Sequence, residues 1–260
     1  MSSTTATQAW FKRWTMHKPK VIIPMPTSFD EEYNARCWRQ YAAGCEQFGA
    51  EAVPLPLQLD QSAQAKIVAT GDAVLLPGSP ADVNPEKYGE PREPQCSRSD
   101  GLREAADELL LQDAFNLGKP VLGVCYGMQS LNVWRGGALI QHLETATNHT
   151  PGRDVQHAHA LVVEEGSRLS AIVSQAKEAP QVNSSHHQAV GRAGDGLRVT
   201  ATAAGDGTIE AVEGEGQFLL GVQWHPERTL SSSALSARVF EEFVEAARNW
   251  QPTAVNTSIG

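Results

Sequence analysis

A cysteine enclosed by two glycines is the clearest candidate for a reactive group in this sequence. Cys125 lies in GVCYG (123–127), after the apolar run PVLGV and before a segment with helical spacing. The pattern Gly-x-nucleophile-x-Gly is typical of a sharp strand-to-helix turn that presents a nucleophile at the end of a sheet. A helix N-terminus favours thiolate over thiol, and the following amide, that of Tyr126, points to where an oxyanion would form. The alternative is a buried core cysteine beside ordinary turn glycines.

A thiol nucleophile needs a base and a group that orients the base. The strand-like segment FLLGVQW (218–224) runs directly into His225, Pro226 and Glu227. Proline fixes its own φ and restricts the residue before it, so both polar side chains can project from one short bend. We therefore interpret His225 as the base and Glu227 as the carboxylate that orients the imidazole. The alternative is a strand-end turn with a solvated glutamate.

An oxyanion also needs a second hydrogen-bond donor. The apolar segment AVLLP (73–77) leads into Gly78, Ser79 and Pro80, where a glycine lets the backbone approach a ligand closely. The amide of either Gly78 or Ser79 could face that of Tyr126 across the site. The sequence does not choose between the two amides, and a plain Gly-Ser-Pro turn is the other interpretation.

The elements that must position these groups alternate between strand and helix in the first half of the chain. Short, nearly all-apolar strands of this kind predict a parallel sheet covered on both faces. The second half instead predicts several strands separated by turns. The predicted strands are 20–26, 51–57, 73–77, 120–124, 160–164, 181–183, 197–203, 209–213 and 218–224, and the predicted helices are 30–48, 100–117, one beginning at 128, and 233–249. We expect one domain over 17–250, between a flexible arm (1–16) and a disordered tail (251–260).

Composition excludes some classes of partner. The 260 residues carry a net charge of −9, which argues against nucleic acid or a membrane surface, since both require clustered Lys and Arg. The sequence contains no run of 18 apolar residues, so it predicts no membrane-spanning helix. The polar N-terminus lacks the apolar h-region of a secretory signal. The four cysteines form no CxxC pair, which is typical of a reducing, cytoplasmic setting.

The sequence resembles class I glutamine amidotransferases. The similarity rests on GVCYGMQ, GVQWHPE and LPGSP, and extends over roughly residues 20–247. It implies an α/β, flavodoxin-like fold with a mostly parallel central sheet, helices on both faces and additional β-strands in the second half. It also implies a triad of Cys125, His225 and Glu227 and a γ-glutamyl thioester on the cysteine.

Within that superfamily the chain is most similar to γ-glutamyl-γ-aminobutyrate hydrolases, the γ-glutamyl hydrolase type of cysteine peptidase. The segments concerned are LPGSPADVNPEKYGE, GGALIQHL, VNSSHHQAV and DGTIEAVE. Tyr126 departs from this subgroup, which often has arginine there, and GVCYGMQ resembles the amidotransferase domain of GMP synthetase instead. The resemblance implies that Gln129, Ser185 and His186 contact the glutamyl group. Gln129 also lies one helical turn beyond the cysteine, which would direct it back to the substrate.

The expected function is therefore a cysteine hydrolase of a small γ-glutamyl amine or peptide, such as γ-glutamyl-GABA. We expect no cofactor and no metal, because the histidines lack the spacing of metal ligands; a homodimer is allowed. One alternative is a glutaminase subunit that delivers ammonia to a partner synthase, although no synthase domain accompanies the motifs. Another is a non-catalytic ligand-binding protein. The acidic loop 82–93 is a candidate lid that selects a cationic amine.

Overall fold

The computed structural model describes residues 18–252, and the predicted arm and most of the predicted tail lie outside that range. The strands are Lys20–Pro24 (β1), Glu51–Leu55 (β2), Ala73–Leu76 (β3), Val121–Val124 (β4), Ala138–Ile140 (β5), His159–Val163 (β6), Gln181–Val182 (β7), Ala189–Arg192 (β8), Leu197–Ala203 (β9), Ile209–Gly214 (β10) and Leu219–Val222 (β11). The α-helices are Glu31–Gln47 (α1), Gln61–Val68 (α2), Gly101–Leu117 (α3), Tyr126–Trp134 (α4), Arg168–Ala176 (α5) and Ala234–Asn249 (α6). Short 3₁₀ turns form at Pro85–Tyr88 and Pro226–Arg228.

Five parallel strands in the order β2-β1-β3-β4-β11 form the half of the sheet that carries the candidate nucleophile. Every residue of β3, β4 and β11 is buried, as expected for strands covered on both faces. Alternate residues point to opposite sides: Val21 and Leu75 pack with α1 and α6, whereas Ile22 and Val74 pack with α2 and α3. This arrangement confirms the predicted α/β fold with helices on both faces.

The sheet continues in antiparallel pairing beyond β11. Strand β10 pairs with β11 and β9, and β6 and β7 follow, while β8 pairs with β10 and β5. The added strands in the second half were predicted, but β5, β8 and helix α5 were not. Strands β5 and β8 are short and partly exposed, so their hydrophobic period is weak. Helix α5 is amphipathic but has only nine residues, and the sequence analysis overlooked it.

Helix α3 begins and ends at the capping residues that the sequence predicts. The Asp100 carboxylate accepts a hydrogen bond from the Arg103 amide at the start of α3, and Gly118 ends that helix with φ of +66°. Both features were predicted, since aspartate is a favoured N-cap and glycine tolerates the left-handed conformation. Within residues 18–252, no helix is long and apolar enough to cross a membrane.

Candidate active site

The Cys125 turn between β4 and α4 has the strained backbone that its glycines suggested. Cys125 has φ of +53° and ψ of −108°, a region that non-glycine residues rarely occupy. A Cβ on Gly123 would lie 2.8 Å from the Gly127 carbonyl oxygen, and one on Gly127 would lie 2.0 Å from the Leu76 carbonyl oxygen. The glycines are therefore required because the turn packs directly on the start of α4 and on β3.

The predicted base and its orienting carboxylate form a close pair. His225 follows β11, whose last residue, Val222, is in register with Val124 of β4, so both strands direct their ends to the same edge of the sheet. His225 Nδ1 lies 2.8 Å from Glu227 Oε1, and both side chains are buried. Because the carboxylate can only accept, Nδ1 donates, which leaves Nε2 as the atom available to take a proton.

Asn183 fixes the backbone of the base, a role that the sequence analysis missed. Its Oδ1 accepts from the His225 amide and its Nδ2 donates to the His225 carbonyl, each at 2.8 Å. This double hydrogen bond joins the loop after β7 to the loop after β11. The signal was present in the sequence, since Asn183 opens the polar run that we associated with the substrate.

Cys125 and His225 line one cavity of about 280 Å³. A Cβ placed on Gly78 would lie 3.0 Å from His225 Cε1 and 3.7 Å from Cys125 Cβ, so the two side chains flank the same point of backbone. Among the described residues, His225 Nε2 has no hydrogen-bond partner. A larger cleft of about 790 Å³, lined by Glu93, His142 and Asp206 among others, is lined by no cysteine or serine of the described chain.

Burial controls the protonation of this pair. Burial raises the pKa of the Cys125 thiol to about 12, against the opposing effects of Arg228 and the Tyr126 amide. The stabilisation of a thiolate that we expected from the helix N-terminus is therefore outweighed by desolvation. Burial also lowers the pKa of His225, although Glu227 acts in the opposite direction. Both shifts favour the uncharged thiol and the uncharged imidazole.

The structure distinguishes the two predicted oxyanion donors. The Gly78 amide donates a 3.0 Å hydrogen bond to the Tyr41 hydroxyl, whereas the Ser79 amide has no acceptor within the described chain. Ser79 also lines the cavity. The Tyr126 amide lies against the Cys125 sulfur. The phenol ring of Tyr126 is buried beneath the Arg103 guanidinium, which lies 4.8 Å from the ring centre. Within the described chain, the Ser79 amide is therefore the one of the two that is left available for a ligand.

All three predicted substrate contacts reach the cavity: Gln129, Ser185 and His186 line it together with Cys125. Gln129 Nε2 donates to the Gln188 carbonyl and to Gln223 Oε1, each at 3.1 Å. The ring of His186 is engaged elsewhere, with Nδ1 2.9 Å from the Gln188 carbonyl and Nε2 directed at Glu210. His186 therefore shapes the wall of the cavity, while its nitrogens contact other parts of the protein.

Two arginines line the cavity that the sequence analysis did not single out. Arg228 follows Glu227 directly, with its Nε 3.5 Å from a Glu227 oxygen, and Arg153 extends from the loop after β5. Of the acidic loop residues that suggested a lid for a cationic amine, Asp82 alone lines the cavity, and it pairs with His187 at 3.1 Å. Glu86 and Glu90 are exposed. The charged side chains that line the cavity within the described chain are therefore two arginines and an aspartate that is paired with a histidine.

Four side chains near the site lie close enough together to hold a metal ion: His149, His159, His186 and Glu210. Sequence spacing predicted no metal ligands, because these four residues come from four separate segments.

Comparison with known proteins agrees with the fold. The chain is 34% identical over 219 residues to a γ-glutamyl-γ-aminobutyrate hydrolase from Escherichia coli O157:H7, covering 77% of this chain and 82% of that protein. It is 35% identical over 215 residues to a "putative glutamine amidotransferase" from Mycobacterium tuberculosis, covering 81% and 67%. The crystal structure of a "putative GMP synthase" protein from Thermoplasma acidophilum shares the fold, with a TM-score of 0.59 at 12% identity, covering 89% of this chain and 94% of that one.

These likenesses and the cysteine at the sheet edge define an amidase of the class I glutamine amidotransferase type. The peptidase C26 family profile matches residues 24–227, and the chain belongs to that family. Family membership implies a cysteine hydrolase or amidase that acts on glutamine-type amides.

Proposed function

We propose that the protein hydrolyses γ-glutamyl amides through a γ-glutamyl thioester on Cys125, releasing glutamate and an amine. The observation that carries this proposal is the pairing of His225 and Glu227 beside the cavity that Cys125 also lines, with His225 Nε2 unpartnered among the described residues. A nucleophile, a base and an orienting group around one cavity are the requirements of nucleophilic amide hydrolysis.

The reaction follows from these positions. Cys125 Sγ attacks the γ-carbonyl carbon as His225 Nε2 takes the thiol proton, and Glu227 stabilises the imidazolium that forms. The amides of Ser79 and Tyr126 hold the developing oxyanion. His225 then donates its proton to the leaving amine as the C–N bond breaks. It next removes a proton from a water that attacks the thioester, which releases glutamate and restores the thiol.

The charges at the cavity support a particular class of amine. Every γ-glutamyl substrate carries the α-carboxylate of glutamate, and γ-glutamyl-GABA carries a second carboxylate at its other end. Arg228 and Arg153 both line the cavity, and guanidinium groups are well suited to carboxylates. Asp82, the acidic side chain that lines it among residues 18–252, is already paired with His187. We therefore favour γ-glutamyl-GABA over γ-glutamyl polyamines.

A mass-spectrometric assay of the purified full chain tests this proposal. The substrates are γ-glutamyl-GABA, γ-glutamyl-putrescine and glutamine, and the expected order of kcat/KM places γ-glutamyl-GABA first. Cys125→Ala is the inactive blank, and Cys96→Ser, which changes a cysteine outside the cavity, is the control that keeps activity. Turnover of glutamine alone would favour the glutaminase alternative, and turnover by Cys125→Ala would overturn the mechanism.

A further inference from the structure

A buried cluster of three histidines and one glutamate lies behind the wall of the cavity. His149 comes from the loop after β5, His159 from the start of β6, His186 from the loop between β7 and β8, and Glu210 from β10. His159 Nε2 lies 3.2 Å from Glu210 Oε1, and His149 Nδ1 and His186 Nε2 lie 3.5 Å from the same oxygen. All four potential ligand atoms are within 4.8 Å of one another.

The cluster leaves several buried polar atoms without hydrogen bonds. Glu210 is fully buried, and over residues 18–252 neither of its carboxylate oxygens has a partner with hydrogen-bond geometry. The same holds for both ring nitrogens of His159 and for Nε2 of His186. An unsatisfied buried polar group costs about 1–3 kcal/mol, so a ligand bound among these side chains would stabilise the cluster by satisfying several of them together.

Hydrogen bonds outside the cluster determine which ring nitrogens face inward as acceptors. His186 Nδ1 lies 2.9 Å from the Gln188 carbonyl, and His149 Nε2 lies 3.1 Å from Asp206 Oδ2. Since both partners can only accept, these nitrogens carry the protons. The opposite nitrogen of each ring, Nδ1 of His149 and Nε2 of His186, is then directed at the Glu210 carboxylate. A cation bound at this point would accept lone pairs from both rings and from the carboxylate together.

The three distances from Glu210 Oε1 fit a tetrahedral zinc site. Zn–N bonds of about 2.0–2.1 Å and Zn–O bonds of about 2.0–2.2 Å place neighbouring ligands of a tetrahedral zinc about 3.3–3.5 Å apart. The three separations from Glu210 Oε1 are 3.2, 3.5 and 3.5 Å. Three imidazoles and one carboxylate suit zinc, whereas Ca²⁺ and Mg²⁺ prefer oxygen ligands throughout. The contacts to Asp206 and to the Gln188 carbonyl are the outer contacts that orient histidine ligands in metal sites.

We infer that His149, His159, His186 and Glu210 form a tetrahedral Zn²⁺ site. Four protein ligands fill the coordination sphere, so the ion has no open position for water or substrate and serves a structural role. Glu210 and the nearby Asp206 balance its charge. The site would hold the segment 183–188 against β6 and β10, and this segment carries Asn183, which fixes His225, together with cavity residues.

Metal analysis of the purified full chain tests this site, independently of any substrate. The measurement uses a Cys125→Ala background so that zinc bound by the catalytic thiol is not counted. After incubation with Zn²⁺ and exhaustive dialysis, elemental analysis should find one zinc per chain. His159→Ala and Glu210→Gln should each reduce the zinc content by about tenfold or more. His157→Ala, which removes an exposed histidine two residues from His159, should retain it.

The visible absorption of bound cobalt gives a second readout, and its main measurement needs no substitution in the histidine cluster. Co²⁺ added to the metal-free Cys125→Ala protein should produce the intense visible absorption of tetrahedral cobalt, and His157→Ala should preserve this absorption. Circular dichroism checks that Glu210→Gln, which keeps the side-chain volume, remains folded. Absence of zinc after dialysis, equal zinc in all variants, or a weak octahedral cobalt spectrum would each overturn the assignment.

Discussion

At the scale of single residues, His225 is subject to two opposing influences. Burial lowers its pKa and the Glu227 carboxylate raises it, with burial the larger effect. The neutral imidazole is the form that accepts the thiol proton, so activity should be lost only as the pH falls through this lowered pKa. The acid limb of kcat/KM reports that value for the free enzyme.

Replacing the orienting carboxylate should change both rate and pH dependence. We expect Glu227→Gln to lower kcat/KM by about 10²- to 10⁴-fold, since the imidazolium loses its stabilising charge. The acid limb should move to lower pH, because removal of the carboxylate removes the influence that raises the His225 pKa. A pH profile of γ-glutamyl-GABA hydrolysis measures both effects.

The control for this measurement is Glu241→Gln, an exposed carboxylate on α6 that pairs with Arg238. It should leave both the rate and the acid limb unchanged. An acid limb for Glu227→Gln that stays in place or moves to higher pH would show that Glu227 does not act on the base.

At the residue scale, the placement of side chains could be predicted where the pattern is local in sequence. Cys125 with its glycines and His225 with Glu227 each lie within five consecutive residues, so short motifs predicted the strained turn and the paired side chains. The choice of Ser79 over Gly78 could not be predicted, because it depends on the Tyr41 hydroxyl, 37 residues from Gly78 in the sequence. Backbone donors have no side-chain identity by which a sequence can reveal them.

At the scale of elements, the packing of α4 on β3 depends on the absence of a single side chain. Alanine in place of a helical glycine usually stabilises a helix by about 1 kcal/mol. At Gly127 the added Cβ would lie 2.0 Å from a backbone oxygen of β3, which cannot move without disturbing the sheet. The steric effect should therefore reverse the usual sign.

We expect Gly127→Ala to lower the free energy of unfolding by about 1–3 kcal/mol or more. Urea unfolding followed by tryptophan fluorescence measures the loss. Gly101→Ala is the matched control, because Gly101 also lies in a helix and a Cβ there meets no atom within 4 Å. A Gly127→Ala variant as stable as Gly101→Ala would contradict the close packing of α4.

Element-scale prediction depended on how strongly each segment showed a hydrophobic period. The parallel strands and helices α1, α3 and α6 were predicted to within a few residues because they are long or wholly apolar. Strand β5 has three residues and β8 ends in two exposed ones, so neither has a recognisable period. Their pairing with each other and with β10 stabilises them instead.

At the scale of the whole molecule, one fully buried arginine joins the segments that surround the site. Arg103 of α3 pairs with Asp107 at 2.8 Å. It donates to the Pro26 carbonyl after β1 at 2.8 Å and to the Pro77 carbonyl after β3 at 2.7 Å. Its guanidinium also covers the ring of Tyr126 in α4. Arg103 thereby connects the ends of two strands to the helix that follows the nucleophile.

We expect Arg103→Met to lower the free energy of unfolding by about 3–5 kcal/mol, because it leaves Asp107 buried and unpaired. The double variant Arg103→Met/Asp107→Leu should recover part of that loss, since it removes the unpaired charge. Thermal and urea unfolding of both variants provide the measurement.

Arg198→Met is the control for this prediction, since Arg198 forms an exposed ion pair with Glu164 at 3.5 Å. Such surface pairs contribute about 0–1 kcal/mol. A double variant no more stable than Arg103→Met, or an Arg103→Met variant as stable as Arg198→Met, would show that the buried pair does not connect these segments.

Whole-molecule features were the hardest to predict. The histidine cluster draws on positions 149, 159, 186 and 210, which no motif spacing relates. Only the pairing of β6, β9 and β10 and the path of the intervening loops bring these side chains together.

The backbone of Cys125 has a consequence for how such a protein could evolve. A non-glycine residue held at φ of +53° costs about 1–3 kcal/mol, a strain that glycine would largely relieve. A lineage with no use for the sulfur would gain stability by drifting to glycine at this position. The cysteine at this turn therefore lowers the stability of the fold, which is expected where the side chain is kept for its chemistry.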